Sequence, residues 1–106
     1  MKDECVVEVT RGTTPSIIYT FKTVDVSTIT KAALTFEQRG KILLEKSLAD
    51  ASLKAKALSW TLTQEDSLSI KGEVEVMLNW VTSDGLRGAS KVMDINFKRN
   101  HKETVL

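Results

Sequence analysis

Few side chains in this sequence could serve as catalytic groups. The single histidine, His101, lies in a C-terminal stretch without periodicity, and the single cysteine, Cys5, faces inward in a predicted strand. A histidine in a frayed segment cannot be held in catalytic geometry, and a buried cysteine usually packs as a small hydrophobic residue. We therefore expect neither residue to be catalytic.

The carboxylates also have structural explanations. Glu65 and Asp66 are adjacent and point in different directions, so they are poorly placed to share a proton. Thr63 and Asp66 have the spacing of a capping box at the start of a helix. No cysteine or histidine spacing fits a zinc site, and no loop gathers the oxygen ligands that calcium needs. The sequence predicts no metal site, no cofactor and no enzymatic activity.

Composition excludes several classes of partner. The 106 residues carry 15 Lys and Arg against 14 Asp and Glu, a formal net charge of +1, and 42% of them are hydrophobic. A nucleic-acid-binding domain usually carries a basic stripe, which this interspersed pattern lacks. The apolar runs are far shorter than a membrane span. We expect a folded domain made in a reducing cytoplasm, with neither nucleic acid nor membrane as its partner.

The dominant pattern is alternation of apolar and polar residues, which places one set of side chains on each face of a strand. It recurs in seven segments between polar turns, at 5–10, 17–21, 31–37, 41–46, 58–63, 73–80 and 92–98. Half-apolar strands are typical of antiparallel sheets. The sequence predicts an all-β fold, a seven-stranded antiparallel immunoglobulin-like β-sandwich that encloses Phe21, Phe36, Trp60, Trp80 and Phe97. The alternation does not determine the order of the strands or whether the sandwich closes toward a barrel.

Three segments break the alternation. Residues 50–56 are polar and alanine-rich and predict a loop or a weak helical turn. The capping box at Thr63 predicts one helical turn before the next strand, as at the E–F corner of immunoglobulin-like domains, although the corner tyrosine is missing. Residues 100–106 have no periodicity and predict a flexible C-terminal tail. The chain is therefore expected to divide into a β-sandwich domain, 1–99, and a tail, 100–106.

With no chemistry predicted for the interior, function is expected on the surface. Ala33, Met77 and Val81 are apolar residues at outward positions of two strands that are neighbours in an immunoglobulin-like arrangement. We predict that they form a protein-binding patch on one sheet face. An exposed strand edge that pairs with a partner's backbone is the alternative docking device.

Several segments resemble a known group of proteins. The sequence at 12–21, 25–29 and 34–38, together with 62–66 and 72–76, resembles small structural proteins encoded by phages of Gram-positive bacteria. It is also similar to the immunoglobulin-like N-terminal domain of upper baseplate proteins of siphophages that infect lactic acid bacteria. The resemblance implies a non-catalytic protein of the tail, baseplate or connector region, held by contacts with other virion proteins and compatible with a homo-oligomer.

Two other functions remain alternatives. A small phage protein could instead inhibit a host defence protein by steric binding, although the near-neutral charge argues against mimicry of nucleic acid. A carbohydrate-binding module would place aromatic residues on an exposed face, whereas Tyr19, Trp60 and Trp80 all fall on inward positions. The sequence favours a virion protein that is made in the host cytoplasm.

Overall fold

The computed structural model describes residues 7–54 and 56–106, so the predictions for Cys5 and the start of the first strand lie outside the described residues. Within these residues the expected all-β class is confirmed. Helix α1 (Gln64–Leu68) lies between two of the strands, and 3-10 turns cover Val26–Thr28 and Leu48–Asp50. The strands are β1 (Val7–Thr10), β2 (Ser16–Thr20), β3 (Ile29–Gln38), β4 (Lys41–Ser47), β5 (Ser52–Lys54), β6 (Ala57–Thr61), β7 (Gly72–Thr82), β8 (Arg87–Ala89) and β9 (Met93–Lys98).

The strands form two sheets. The larger sheet has six strands in the order β1-β9-β7-β3-β4, with β8 beside β7 beyond the end of β9. The smaller sheet has three strands in the order β2-β6-β5. All pairs are antiparallel except β1 with β9, which is parallel. The fully antiparallel arrangement expected from the sequence is wrong at this one pair, because alternation fixes the face of a residue and not the direction of its neighbouring strand.

The core is one cluster of buried apolar residues contributed by both sheets. Trp60, on β6, is 1% exposed, and its indole N–H donates to the carbonyl oxygen of Ser47 at 2.9 Å, so the buried polar atom has a partner. Four of the five aromatic residues expected inside are buried, and Trp80 is only partly buried. The buried strand residues occupy alternate positions and include Ile17, Leu34, Phe36, Leu58, Trp60, Val74, Val76, Leu78, Ile95 and Phe97.

Two short strands, β5 and β8, were not expected. The prediction of a loop or helical turn over 50–56 is wrong for Ser52–Lys54, which pairs with β6. Strand β8 likewise pairs with β7 directly after the turn that Gly85 occupies at a φ of 85°. Three residues are too few to show a period of two, and here the backbone of a longer neighbouring strand determines the conformation.

The helical turn expected after Thr63 is confirmed. The Thr63 hydroxyl accepts a hydrogen bond from the backbone N–H of Asp66 at 3.0 Å, and the Asp66 carboxylate accepts one from the N–H of Thr63 at 3.0 Å. Asp66 also forms an ion pair with Lys46 at 2.8 Å. The buried hydroxyl of Ser67 accepts from Gly12 N–H and donates to the carbonyl of Thr13, both at 2.8 Å. These hydrogen bonds hold the connection between β6 and β7, where the tyrosine expected at an E–F corner is missing.

The segment 100–106 contains no helix or strand, but it contacts the rest of the domain through Arg11. The buried Arg11 side chain donates from Nε to the carbonyl oxygen of Ile70 at 2.8 Å, from Nη2 to that of Leu68, and from Nη1 to the Glu103 carboxylate. The Asn100 side-chain amide donates to the carbonyl oxygen of Arg11 at 2.7 Å. The sequence did not predict these contacts, because they join residues that are far apart in the chain.

Candidate protein-binding surface

The outer face of the six-stranded sheet is formed by the residues of β3 and β7 that alternate with the buried ones. Directly opposite residues of neighbouring strands point to the same side of a sheet. On β3 the outward residues are Lys31, Ala33, Thr35 and Glu37, and on β7 they are Glu75, Met77, Asn79 and Val81.

The structure brings the three predicted patch residues together on this outer face. Ala33 lies opposite Asn79, Met77 opposite Thr35, and Val81 opposite Lys31. All three predicted residues are partly buried rather than fully exposed. The face therefore has a weakly apolar middle, as a surface that binds protein through close contact requires.

Ala33 and Val81 also line a shallow groove on this face. Its walls include Leu48 and Ala49 of the 3-10 turn after β4, and its lining includes Lys31 and Arg87 but no carboxylate. Arg87 donates a hydrogen bond from Nη2 to the side-chain oxygen of Asn79 at 3.2 Å. The groove is thus lined by apolar and uncharged polar residues together with two cations. Lys31, Val81 and Arg87, which lie side by side across three strands, are called the basic row below.

An acidic row lies on the same face, six positions away along β3 and β7. It consists of Glu37, Glu75 and Asp94, which are directly opposite one another on three neighbouring strands. Like charges in this arrangement destabilise a sheet. None of the three forms an ion pair with another described residue, and the described residues contain no group of His, Cys, Asp or Glu that could hold a metal ion. The three carboxylates line one depression together with Arg39 and Lys71, without forming an ion pair with either.

A second depression lies at one end of the molecule, around Trp80. It is lined by the loops 23–25 and 83–86, by Arg87 of β8 and by the partly buried indole of Trp80. Hydrogen bonds from the hydroxyl and the backbone N–H of Ser27 lower the pKa of Asp25, and a hydrogen bond from the Thr82 hydroxyl lowers the pKa of Asp84. Both carboxylates stabilise their own loops, so their hydrogen bonds have a structural explanation.

The indole of Trp80 is fixed by close packing. A Cβ atom at Gly88, the residue opposite Trp80, would lie 2.4 Å from Cζ2 of the indole, so only glycine fits there. Phe21 meets the indole edge to face at 5.0 Å between ring centroids. Trp80 therefore belongs mainly to the inward side of the sheet, as predicted, with part of its ring reaching the end of the sandwich.

Two other titratable side chains, His101 and Tyr19, lie away from the outer face of the large sheet. His101 is exposed. Burial raises the pKa of the Tyr19 hydroxyl, which lies at the edge of the core. The described residues include no helix that is both long and apolar enough to cross a membrane.

The charged residues of the outer face were not among the residues predicted from the sequence to bind a partner. The signal was present, since Lys31 and Glu37 occupy outward positions at opposite ends of one predicted strand. That they form rows with Arg87, Glu75 and Asp94 depends on strand register, which alternation alone does not give.

Comparison with protein-family models and with curated proteins finds no match to this chain.

Proposed function

We propose that this chain is a non-catalytic, immunoglobulin-like domain that binds other proteins through the outer face of its six-stranded sheet. The observation that carries the proposal is the position of Ala33, Met77 and Val81 on adjacent strands of one face, with Ala33 and Val81 in a groove. Such a surface combines apolar contact area with polar groups that set orientation.

The strand order supports the immunoglobulin-like assignment. In such domains strands B, E and D are neighbours in one sheet, and strands G, F, C and C′ form the other sheet. The order β2-β6-β5 corresponds to the first set, and β9-β7-β3-β4 corresponds to the second. The short helix α1 lies where the E–F corner is expected.

A place in a phage virion, in the tail, baseplate or connector region, is the second part of the proposal. It is supported by the sequence resemblance at 12–21, 34–38 and 72–76 and by a surface suited to protein contacts. If several copies surround a tail, their individually weak contacts together give a strong attachment. In this proposal the chain is made in the host cytoplasm and then enters the particle.

Binding of dissociated virion proteins to the immobilised chain tests both parts. The substitution Met77→Glu puts a charge into the middle of the outer face, and Lys54→Glu puts one on the exposed strand β5 of the other sheet as a matched control. We expect tail or baseplate proteins to be retained by the wild type and by K54E. With M77E we expect retention to fall by about tenfold or more, because a charge must be desolvated at the contact.

The circular-dichroism spectra of the variants establish that each is folded. Unchanged retention by M77E would contradict a role for the outer face. Recovery of a host nuclease, with no virion protein, would overturn the virion assignment and favour the inhibitor of host defence.

A further inference from the structure

We propose that the outer face of the six-stranded sheet binds a second copy of the same chain, face to face about a two-fold axis. The proposal rests on the proposed function, because it names one partner for the surface assigned there. It is carried by the arrangement of charge on that face.

Two rows of charge lie at the ends of the outer face, and one further carboxylate, that of Glu45 on β4, lies between them and accepts a hydrogen bond from the Thr35 hydroxyl at 3.3 Å. The basic row, Lys31, Val81 and Arg87, crosses β3, β7 and β8, and the acidic row, Glu37, Glu75 and Asp94, crosses β3, β7 and β9. Strands β8 and β9 lie on the same side of β7, so the two rows cover the same width of the sheet. Six residues of strand separate the rows, which is about 20 Å.

A two-fold axis in the plane of the interface, perpendicular to the strands, exchanges the two ends of the face. It places each strand over the same strand of the second copy, running in the opposite direction. The basic row of each copy then lies over the acidic row of the other. Lys31 meets Glu37 of the second copy, and Arg87 meets Asp94 of the second copy, each twice by symmetry.

The operation also sets the middle rows of the two copies against each other. Because each strand lies over itself, Thr35 lies over Ala33 of the second copy, and Met77 lies over Asn79 of the second copy. Val81 lies over Glu75 of the second copy. Ile42, which is 57% exposed and lies opposite Glu37, would approach the groove wall formed by Leu48 and Ala49 of the second copy. This pairing gives the exposed isoleucine a contact.

Sheet twist preserves part of the charge match. Twisted sheets that pack face to face cross at about 30°. At 10 Å from the axis this rotation displaces a residue by about 5 Å, the spacing of one strand. Because the acidic row is three strands wide, one of the two cations of each copy still meets a carboxylate after this displacement.

The size of the face predicts a weak complex. A contact about 20 Å long and four strands wide covers a few hundred Å² on each copy, below the roughly 800 Å² of a standard interface. Dimerisation should therefore require high protein concentration and weaken with salt, since exposed ion pairs are screened. In an assembly with many copies the same contact would be reinforced.

Charge reversal with rescue tests the proposal by sedimentation equilibrium, at low salt and protein concentrations up to about 1 mM. We expect a reversible dimer for the wild type. Lys31→Glu and Glu37→Lys should each weaken dimerisation by about tenfold or more, because each brings like charges together. The double variant K31E/E37K restores both contacts and should dimerise within about threefold of the wild type.

The rescue can arise only between copies, because Lys31 and Glu37 lie about 20 Å apart on one strand. Lys54→Glu, on the small sheet, is the control that should leave the dimer unchanged. A wild type that stays monomeric at all these concentrations would overturn the proposal, and so would a double variant as weak as the single ones. Either outcome, together with loss of virion-protein retention in M77E, would leave the proposed function standing and show that the face binds a different protein.

Discussion

The two sheets of this domain share one core and differ in their outer faces. On the small sheet, the outward positions of β2 and β6 carry Ser16, Ile18, Thr20, Ala57, Ser59 and Thr61, and the hydroxyls of Ser16 and Thr61 lie 2.8 Å apart. Lys54 is the charged residue on the outward side of β5. Four of the six outward residues of β2 and β6 carry short hydroxyl side chains, which suit a face that meets water, and Ile18 is an apolar residue that is 60% exposed.

The outer face of the large sheet has instead a basic row and an acidic row, and between them lie Ala33 and Met77 beside the polar residues Thr35, Asn79 and Glu45. Hydration alone would not require three neighbouring carboxylates, which repel one another. This difference supports the proposal that recognition is concentrated on the large sheet. Four experiments test it and are given in order of decreasing expected effect.

The largest effect is expected on the inner side, where both sheets depend on the same core. Phe36→Ala should lower the free energy of unfolding by about 3–5 kcal/mol, because a fully buried ring is removed and leaves a cavity. Thr35→Ala, the next residue of β3 on the outer face, should change it by about 0.5 kcal/mol or less. Denaturant unfolding measures both. Equal losses would show that the outer face is also part of the stabilising structure.

The inner side is also the part of the molecule that could be predicted from the sequence. Alternation predicted the burial of Leu34, Phe36 and Trp60, because the period of a strand and the preference of apolar residues for the interior act locally. The capping box at Thr63 was likewise a local signal.

The outer-face rows and the Arg11 contacts could not be predicted in this way. They depend on which strand lies beside which, and in what register, and those choices are made by packing across the whole chain. The parallel pair β1–β9 and the short strand β5 were missed for the same reason.

A smaller loss of stability is expected at the end of the large sheet. Gly88→Ala should cost about 1–3 kcal/mol, because the added methyl group overlaps the indole of Trp80. The shift of the indole should also change tryptophan fluorescence. Ala89→Ser, at the neighbouring exposed position of β8, is the control and should have little effect. A neutral G88A would mean that Trp80 has room to move.

The stability contributed by the contacts between Arg11 and the segment 100–106 is expected to depend on pH. These contacts lie away from both outer faces. A hydrogen bond from the backbone N–H of Asn100, followed by one from Arg11, lowers the pKa of Glu103 in the folded state. A lowered folded pKa contributes stability above the unfolded pKa of about 4.3, and this stability is lost as pH falls through the folded pKa. Glu103→Gln should remove this contribution and flatten the stability profile below about pH 4.5.

Unfolding measured across this range of pH tests the point, with Glu65→Gln, at the exposed start of α1, as the comparison. If the two variants gave the same profile, the hydrogen bonds of Glu103 would not contribute to stability.

The smallest effect has the opposite sign. Glu37→Lys places a cation opposite Glu75 and should raise the free energy of unfolding by about 0.2–1 kcal/mol, because repulsion within the acidic row becomes attraction. The same change should weaken dimerisation. Thr20→Lys, on the outer face of the small sheet, should do neither. A less stable E37K would mean that the acidic row is not strained, and the argument that it serves binding would lose its basis.

The claim that the outer face binds a second copy of the chain is tested most directly by a concentration series of amide NMR spectra of the ¹⁵N-labelled chain. The account predicts that signals which shift with concentration belong to the outer face of the large sheet, around Ala33, Met77 and Val81, and that those of Ile18 and Ser59 stay constant. Shifts centred on the small sheet or on the loops around Trp80 would contradict it, and so would spectra that do not change with concentration.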